Sequence, residues 1–336
     1  MHNKNLGPIE FNVNIATILL NVDESILSLQ FGDGYSIHKI NYINLPFKDD
    51  ITDKNNNILC EYWSSQIVEE NNIYFICLLK NDVLDYIPSN IGEAVGINIT
   101  PSKFDEYVNK QFEILNTYIS KFNIFKSGDI GIQKVFYKFS IFNGIVKNTQ
   151  KRISWISDAK TILKEKYSLT TQEIKQLSAF ISTTTPAFTL LKGVIDTYSY
   201  GFKFIEAAKT YEQLTTVLEM LFLEANEQGK KQVLSKRISV LLEDNDSNIL
   251  SLYFILCNSY RLRSESLHEG NYLNINYMQV DELSNITRKV IKKYIEFADI
   301  QLSLNPNITF MDIKLTMIYN LKQIVEQKNS ISFFPR

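Results

Sequence analysis

The sequence predicts an α+β protein. A β-rich N-terminal domain with an inserted helix occupies residues 1–150, and an all-α bundle occupies 151–336. Three observations lead there. Apolar residues alternate with polar ones at Phe11, Val13 and Ile15 and again at Leu27, Leu29 and Phe31, which is the period of a half-buried strand. After residue 150 that pattern gives way to helical spacing, clearest in Leu214, Val217, Leu218, Leu221 and Phe222. Arginine changes at the same place: the first of six is Arg152.

In order, Phe11 to Ile15 and Ile26 to Phe31 read as strands. Gly32-Asp33-Gly34 reads as a tight turn, because glycines beside Asp accept positive φ. Tyr35 to Tyr42 is the return strand, 49–57 a surface loop, and the apolar run Ile73 to Leu79 a buried strand; Val95 to Ile99 is a further candidate. Pro101 and Ser102 open a helix from Lys103 to Phe122. Ser127-Gly128-Asp129 is a turn. Ile130 to Phe142 reads as one strand whose apolar parity shifts, implying a bulge near Gln133. Beyond 150 no strand is expected. A short helix that follows Thr170 and Thr171 and ends at Ile181 is expected, with Glu173 near its start, and then helices over Phe188 to Ala208 with weak points at Gly193 and Gly201, Tyr211 to Ala225, and Lys231 to Glu243. Three more follow: Asn248 to Leu267 capped by Asp246 or Ser247, Glu282 to Leu302 capped by Asp281, and Phe310 to Gln327 opened by Thr309.

Composition excludes several classes of function. With 45% hydrophobic and 21% charged residues the chain is globular rather than disordered. A net charge of -2 gives no bulk field for nucleic acid or an acidic membrane, so any such partner needs a local basic patch. Cys60, Cys77 and Cys257 are odd in number and far apart, which predicts neither a disulfide framework nor a zinc site and fits a cytoplasmic location. Met1 to Glu10 is too polar for a signal peptide, and no run has the length of a membrane span. There is no glycine-rich phosphate loop. His2 falls in a terminus and His38 in a strand, where a structural role is expected; no metal or cofactor is expected.

Tyr260 to Gly270 (YRLRSESLHEG) concentrates the polar chemistry: two arginines and one of three histidines close an apolar run. Arg and His there also suit a helix C-terminus. At about 100° per residue, Arg261, Ser264, Glu265 and His268 share a helix face, and Arg263 is turned away from it. Arg263 reaches the neighbourhood of His268 only if the helix stops early or if two chains share the site. Glu219 and Arg237, on neighbouring helices, are candidates for a buried pair that orients this helix.

Three segments together resemble the ApeA-like branch of the HEPN superfamily: LTTVLEMLF (Leu214 to Phe222), LSKRISVLL (Leu234 to Leu242) and YRLRSESLHEG. KFNIFKSGDIG (Lys121 to Gly131) is similar to the stretch that precedes the helical domain in such proteins. The resemblance implies a helical bundle that dimerises and a metal-independent ribonuclease without cofactor. Arg263 would bind phosphate, His268 would be the catalytic imidazole and Ser264 the polar residue after the Arg. Arg261 would support RNA binding, and Glu269 stands where the family has Gly. It further implies a toxin-like effector of antiphage defence or abortive infection, with RNA as substrate and a phage or regulatory trigger at the N-terminal domain. Two other functions are carried as expectations. One is a non-catalytic HEPN-like binding and dimerisation module. The other is a ligand receptor in the β-rich domain, favoured by a pocket lined by Tyr35, Tyr42 or Trp63.

Overall fold

Alternation in Ile9–Ile18 builds β1, the central strand of an antiparallel sheet. The computed structural model describes residues 9–86, 102–128, 130–142, 147–155, 166–204, 206–269, 275–330 and 333–335. The side chains of 267–269 lie outside that set. The other strands are β2 (Ser36–Asn41), β3 (Ile67–Glu69), β4 (Asn72–Tyr86), β5 (Lys134–Phe142) and β6 (Lys147–Trp155), in the order β2-β4-β1-β5-β6 with β3 also paired to β4. A helical region follows, so the chain is α+β.

The chain divides into two compact units, one within 1–123 and 128–183 and the other 124–127 with 184–336. The expected boundary near residue 150 falls inside β6, and the change of unit comes at Thr183.

In the first unit the two faces of the sheet are covered differently. Phe11, Val13 and Ile15 face helix α1 (Ser102–Phe125), where Phe104 packs edge-on to Phe11 with ring centroids 5.1 Å apart. Ala16, Ile18, Cys77 and Phe136 form the opposite core with Leu45, Phe47, Ile51 and Tyr62 from the irregular segment after β2. That layer covers only the C-terminal half of β1; Asn12 and Asn14 on the same face remain exposed. Helix α2 (Thr171–Ser182) completes the unit. Thr170 and Glu173 form its capping box, and the fully buried Lys121 ammonium donates to the carbonyls of Ile181 (3.1 Å) and Thr183 (2.8 Å) at its other end.

The second unit holds α3 (Pro186–Leu190), α4 (Lys192–Gly201), α5 (Ala207–Phe222), α6 (Lys230–Leu242), α7 (Asp246–Glu269), α8 (Tyr277–Leu304) and α9 (Phe310–Ser330). The expected stripe Leu214, Val217, Leu218, Leu221 and Phe222 is its core, all at 1% exposure or less.

Local chemistry overrides the expected pattern in several places. Ile26 to Phe31 is not a strand: the Asp23 carboxylate accepts from the Ser25 amide and caps a 3₁₀ turn, Glu24–Ser28, that buries Ile26. Gly32-Asp33-Gly34 is a turn as expected, with φ of 53° at Asp33 and 78° at Gly34. The expected irregularity at Gln133 is present: Thr17 pairs with Val135 but Leu20 bridges Gly131, so three residues, Ile132 to Lys134, stand against two of the neighbouring strand. β6 runs past residue 150; its lysines and Arg152 hide the alternation because it is an edge strand, where charge is favoured. The expected helix Phe188 to Ala208 is broken. α4 ends at Gly201, where a Cβ would lie 3.1 Å from Gln213 Cβ and where Thr210 Oγ1 donates to the carbonyl (2.9 Å). α8 starts at Tyr277, earlier than expected, with Asn276 and Gln279 as a capping box instead of Asp281. Val95 to Ile99, Asp129 and Gly270 lie outside the described residues.

Candidate functional site

The site is assembled from two helices, α5 and α7. Apolar residues at helical spacing fix both: Leu218 and Leu221 are buried on α5, and Ile249, Tyr253 and Leu256 on α7. With those faces committed to the core, Glu219 of α5 and Tyr260 and Arg263 of α7 come together at the margin. The Tyr260 hydroxyl donates to Glu219 Oε1 (2.9 Å), and Arg263 Nη2 lies 3.5 Å from Glu219 Oε2. The guanidinium also lies over the Tyr260 ring, 5.9 Å from its centroid. Arg263 and Glu219 keep about a fifth of their side chains exposed, 21% and 22%, so the pair is neither sealed nor free. Burial, followed by the Glu219 carboxylate, pushes the Tyr260 phenol up to about 12, so it remains a donor at neutral pH.

One atom in this group is left over. Arg263 Nε is buried and has no hydrogen-bond partner among the described residues. A buried donor without a partner costs of the order of 1–3 kcal/mol. An arginine has five donors in a planar fork matched to phosphate and carboxylate oxygens. Arg263 is thus a positioned cation with donor capacity unused.

The remaining sequence candidates separate. Arg261 is exposed and held on its own helix by Glu265 (2.5 Å) and Asn258 (2.8 Å). Ser264 follows Arg263 at a half-buried position. His268 and Glu269 occupy the last turn of α7; their side chains lie outside the described residues. Because α7 continues to Glu269, positions 263 and 268 are about 140° apart around the helix, and 261 and 268 about 20°. The early helix end that would let Arg263 approach His268 within one chain is absent.

Glu219 and Arg237 do not pair with each other. Arg237 is 3% exposed and forks onto both oxygens of Glu227, each at 2.6 Å, and also donates to the Phe222 carbonyl. Burial opposes the charge of Glu227, but hydrogen bonds from Arg237 and the Glu224 amide outweigh it and hold the carboxyl below its ordinary range. A carboxylate in the loop after α5, which helix-face reasoning does not reach, has taken the place expected for Glu219. Glu219 is left for Tyr260 and Arg263. Tyr260 was not among the sequence candidates; its i, i+3 spacing to Arg263 was the available signal.

The aromatic pocket expected at Tyr35, Tyr42 or Trp63 takes another form. Tyr35 is buried and donates to Gln111 (3.1 Å), Tyr42 packs on the sheet core, and Trp63 is 64% exposed and donates to the Ile58 carbonyl (2.9 Å). Among the described residues, no group of three or more His, Cys, Asp or Glu is placed to hold a metal ion, and no helix is long and apolar enough to cross a membrane.

No protein-family model, curated protein or solved structure matches the chain.

Proposed function

We propose that the protein is a metal-independent endoribonuclease acting as a homodimer, a toxin-like effector of antiphage defence in the cytoplasm whose N-terminal unit receives a phage or regulatory trigger. The observation that carries this reading is Arg263, a partly exposed guanidinium held beside Glu219 and Tyr260 on the helix that also bears His268. The resemblance of three helical segments to HEPN proteins supports it.

The chemistry requires few groups. RNA supplies its own nucleophile. His268 takes the proton of the 2′-OH, the oxygen attacks phosphorus, and the bond to the 5′-oxygen breaks as that oxygen takes a proton from water. The products are a 2′,3′-cyclic phosphate and a 5′-hydroxyl. Arg263 neutralises the charge that builds on the phosphorane oxygens. The separation of 263 from 268 around α7 favours a composite site, with Arg263 of one chain facing His268 of the other. Two copies of Arg261 beside it would raise the local positive charge that the overall balance of -2 does not provide.

The test is His268→Ala in the full chain. RNA cleavage should be lost while sedimentation still reports a dimer. Cleavage that survives the substitution, or a monomer with full activity, overturns the reading.

A further inference from the structure

The half-covered face of the sheet ends in a cleft of about 220 Å³. Its floor follows from strand register. Ala16 of β1 sits opposite Leu79 of β4 on one side and Phe136 of β5 on the other, and Phe136 sits opposite Ile153 of β6. The small side chain in a row of large ones leaves a recess. Phe47 walls it, stacked on Phe136 with centroids 4.0 Å apart, and Ile153 is 43% exposed there.

The next row on the same face is polar in all four strands: Asn81, Asn14, Lys138 and Lys151, each the register partner of the next and each exposed. Lys138 and Lys151 are direct cross-strand partners of like charge, an arrangement that destabilises a sheet unless something offsets it. Their row supplies only two neutral amides. Among the described residues the one carboxylate lining the cleft is Asp50, from the same covering segment as Pro46 and Phe47. Arg152 and Tyr137 also border the cleft, but alternation sends their side chains to the other face, where Arg152 pairs with Asp105.

We propose that this cleft binds a small aromatic anion. The flat apolar body lies over Ala16 against Phe47 and Ile153, and one carboxylate or phosphate head sits between Lys138 and Lys151 with the Asn14 and Asn81 amides beside it. Asp50, in the covering segment, orients the molecule by repelling the head. An apolar recess with a few convergent polar groups is the usual form of a small-ligand site. The proposal is independent of the reading of α7.

Calorimetric titration of the full-length protein tests it, with 2-naphthoate, 2-naphthyl phosphate, 2-naphthylmethanol and 2-naphthylmethylamine as probes. At least one of the two anions should bind at least tenfold more tightly than the alcohol, and the stronger of them identifies the head group. The double variant Lys138→Glu/Lys151→Glu changes only exposed side chains, so it leaves the core intact. It should reverse the preference, favouring the amine over both anions. Ile153→Ser should weaken every probe. No anion binding by the native protein, or anion binding unchanged by the double charge reversal, overturns the proposal.

Discussion

Three arginines of the helical unit show how burial sets what a charged side chain is for. Arg237 is sealed and fully used: fork, carboxylate and carbonyl satisfy one another. Arg237→Ala leaves the part-buried Glu227 without its guanidinium and should cost about 2–3 kcal/mol, read as a drop in the urea midpoint. Arg261 is an exposed i, i+4 partner of Glu265, and Arg261→Ala should change stability by less than about 0.5 kcal/mol in the same experiment. Arg263 lies between them, partly covered, with Glu219 beside its Nη2 and its buried Nε without a partner among the described residues. Lys121 carries a pH signature. Burial pushes its ammonium down to about 8 from an ordinary 10.5. Between those values the unfolded chain binds the proton and the folded chain does not, so stability rises with pH across that window. Thermal melts from pH 7 to 10.5 should show the native protein gaining against Lys121→Met; parallel curves would remove Lys121 as the cause.

Among the elements, the two capping boxes hold helix starts that packing alone leaves unfixed. Asn276→Ala removes the cap of α8 and should cost about 1 kcal/mol, as should Thr170→Ala at α2, each measured by denaturant unfolding. Both caps consist of short polar side chains three residues before Gln or Glu. The signal was therefore present at each start, although Asp281 competed with Asn276 as a cap for α8. α6 begins differently, from Gly229 in the left-handed region (φ 64°) without a side-chain cap. A Cβ there adds strain of about 1 kcal/mol, so Gly229→Ala should destabilise even though the space around it is open. α7 matters most for the proposed function, since its unbroken course to Glu269 turns a motif that looks contiguous in sequence into two positions on different sides of a helix.

For the whole molecule, a shared active site makes a prediction that a single-chain site does not. Arg263→Ala and His268→Ala should each be inactive alone. When they are mixed and allowed to exchange subunits, about a quarter of native RNA cleavage should return, because half the dimers are mixed and each has one intact site. No recovery from exchanged subunits would assign both groups to one chain. Alkaline stability is also a property of the whole. Burial raises the phenols of Tyr35, Tyr62, Tyr118, Tyr198 and Tyr294 above their ordinary value of 10.0. Their contribution is complete below pH 10 and is lost above it, as the unfolded chain ionises first. Ultraviolet titration should show these phenols ionising together with unfolding.

The amino-acid sequence by itself determined the α+β class, the buried stripe of α5, the run of α7 and the stretch that carries Arg261, Arg263 and His268. Each of these depends on local periodicity, which a linear chain displays. It concealed β6, because an edge strand carries charge where a central one carries apolar residues, and it offered Ile26 to Phe31 as a strand because a side-chain cap leaves no trace in apolar spacing. Only the tertiary structure decided that Arg237 belongs to Glu227, that Glu219 and Tyr260 hold Arg263, and that Lys138 meets Lys151 beside the recess over Ala16. Partner choice and register join residues far apart in the chain, and those pairings exist only once helices pack and strands align.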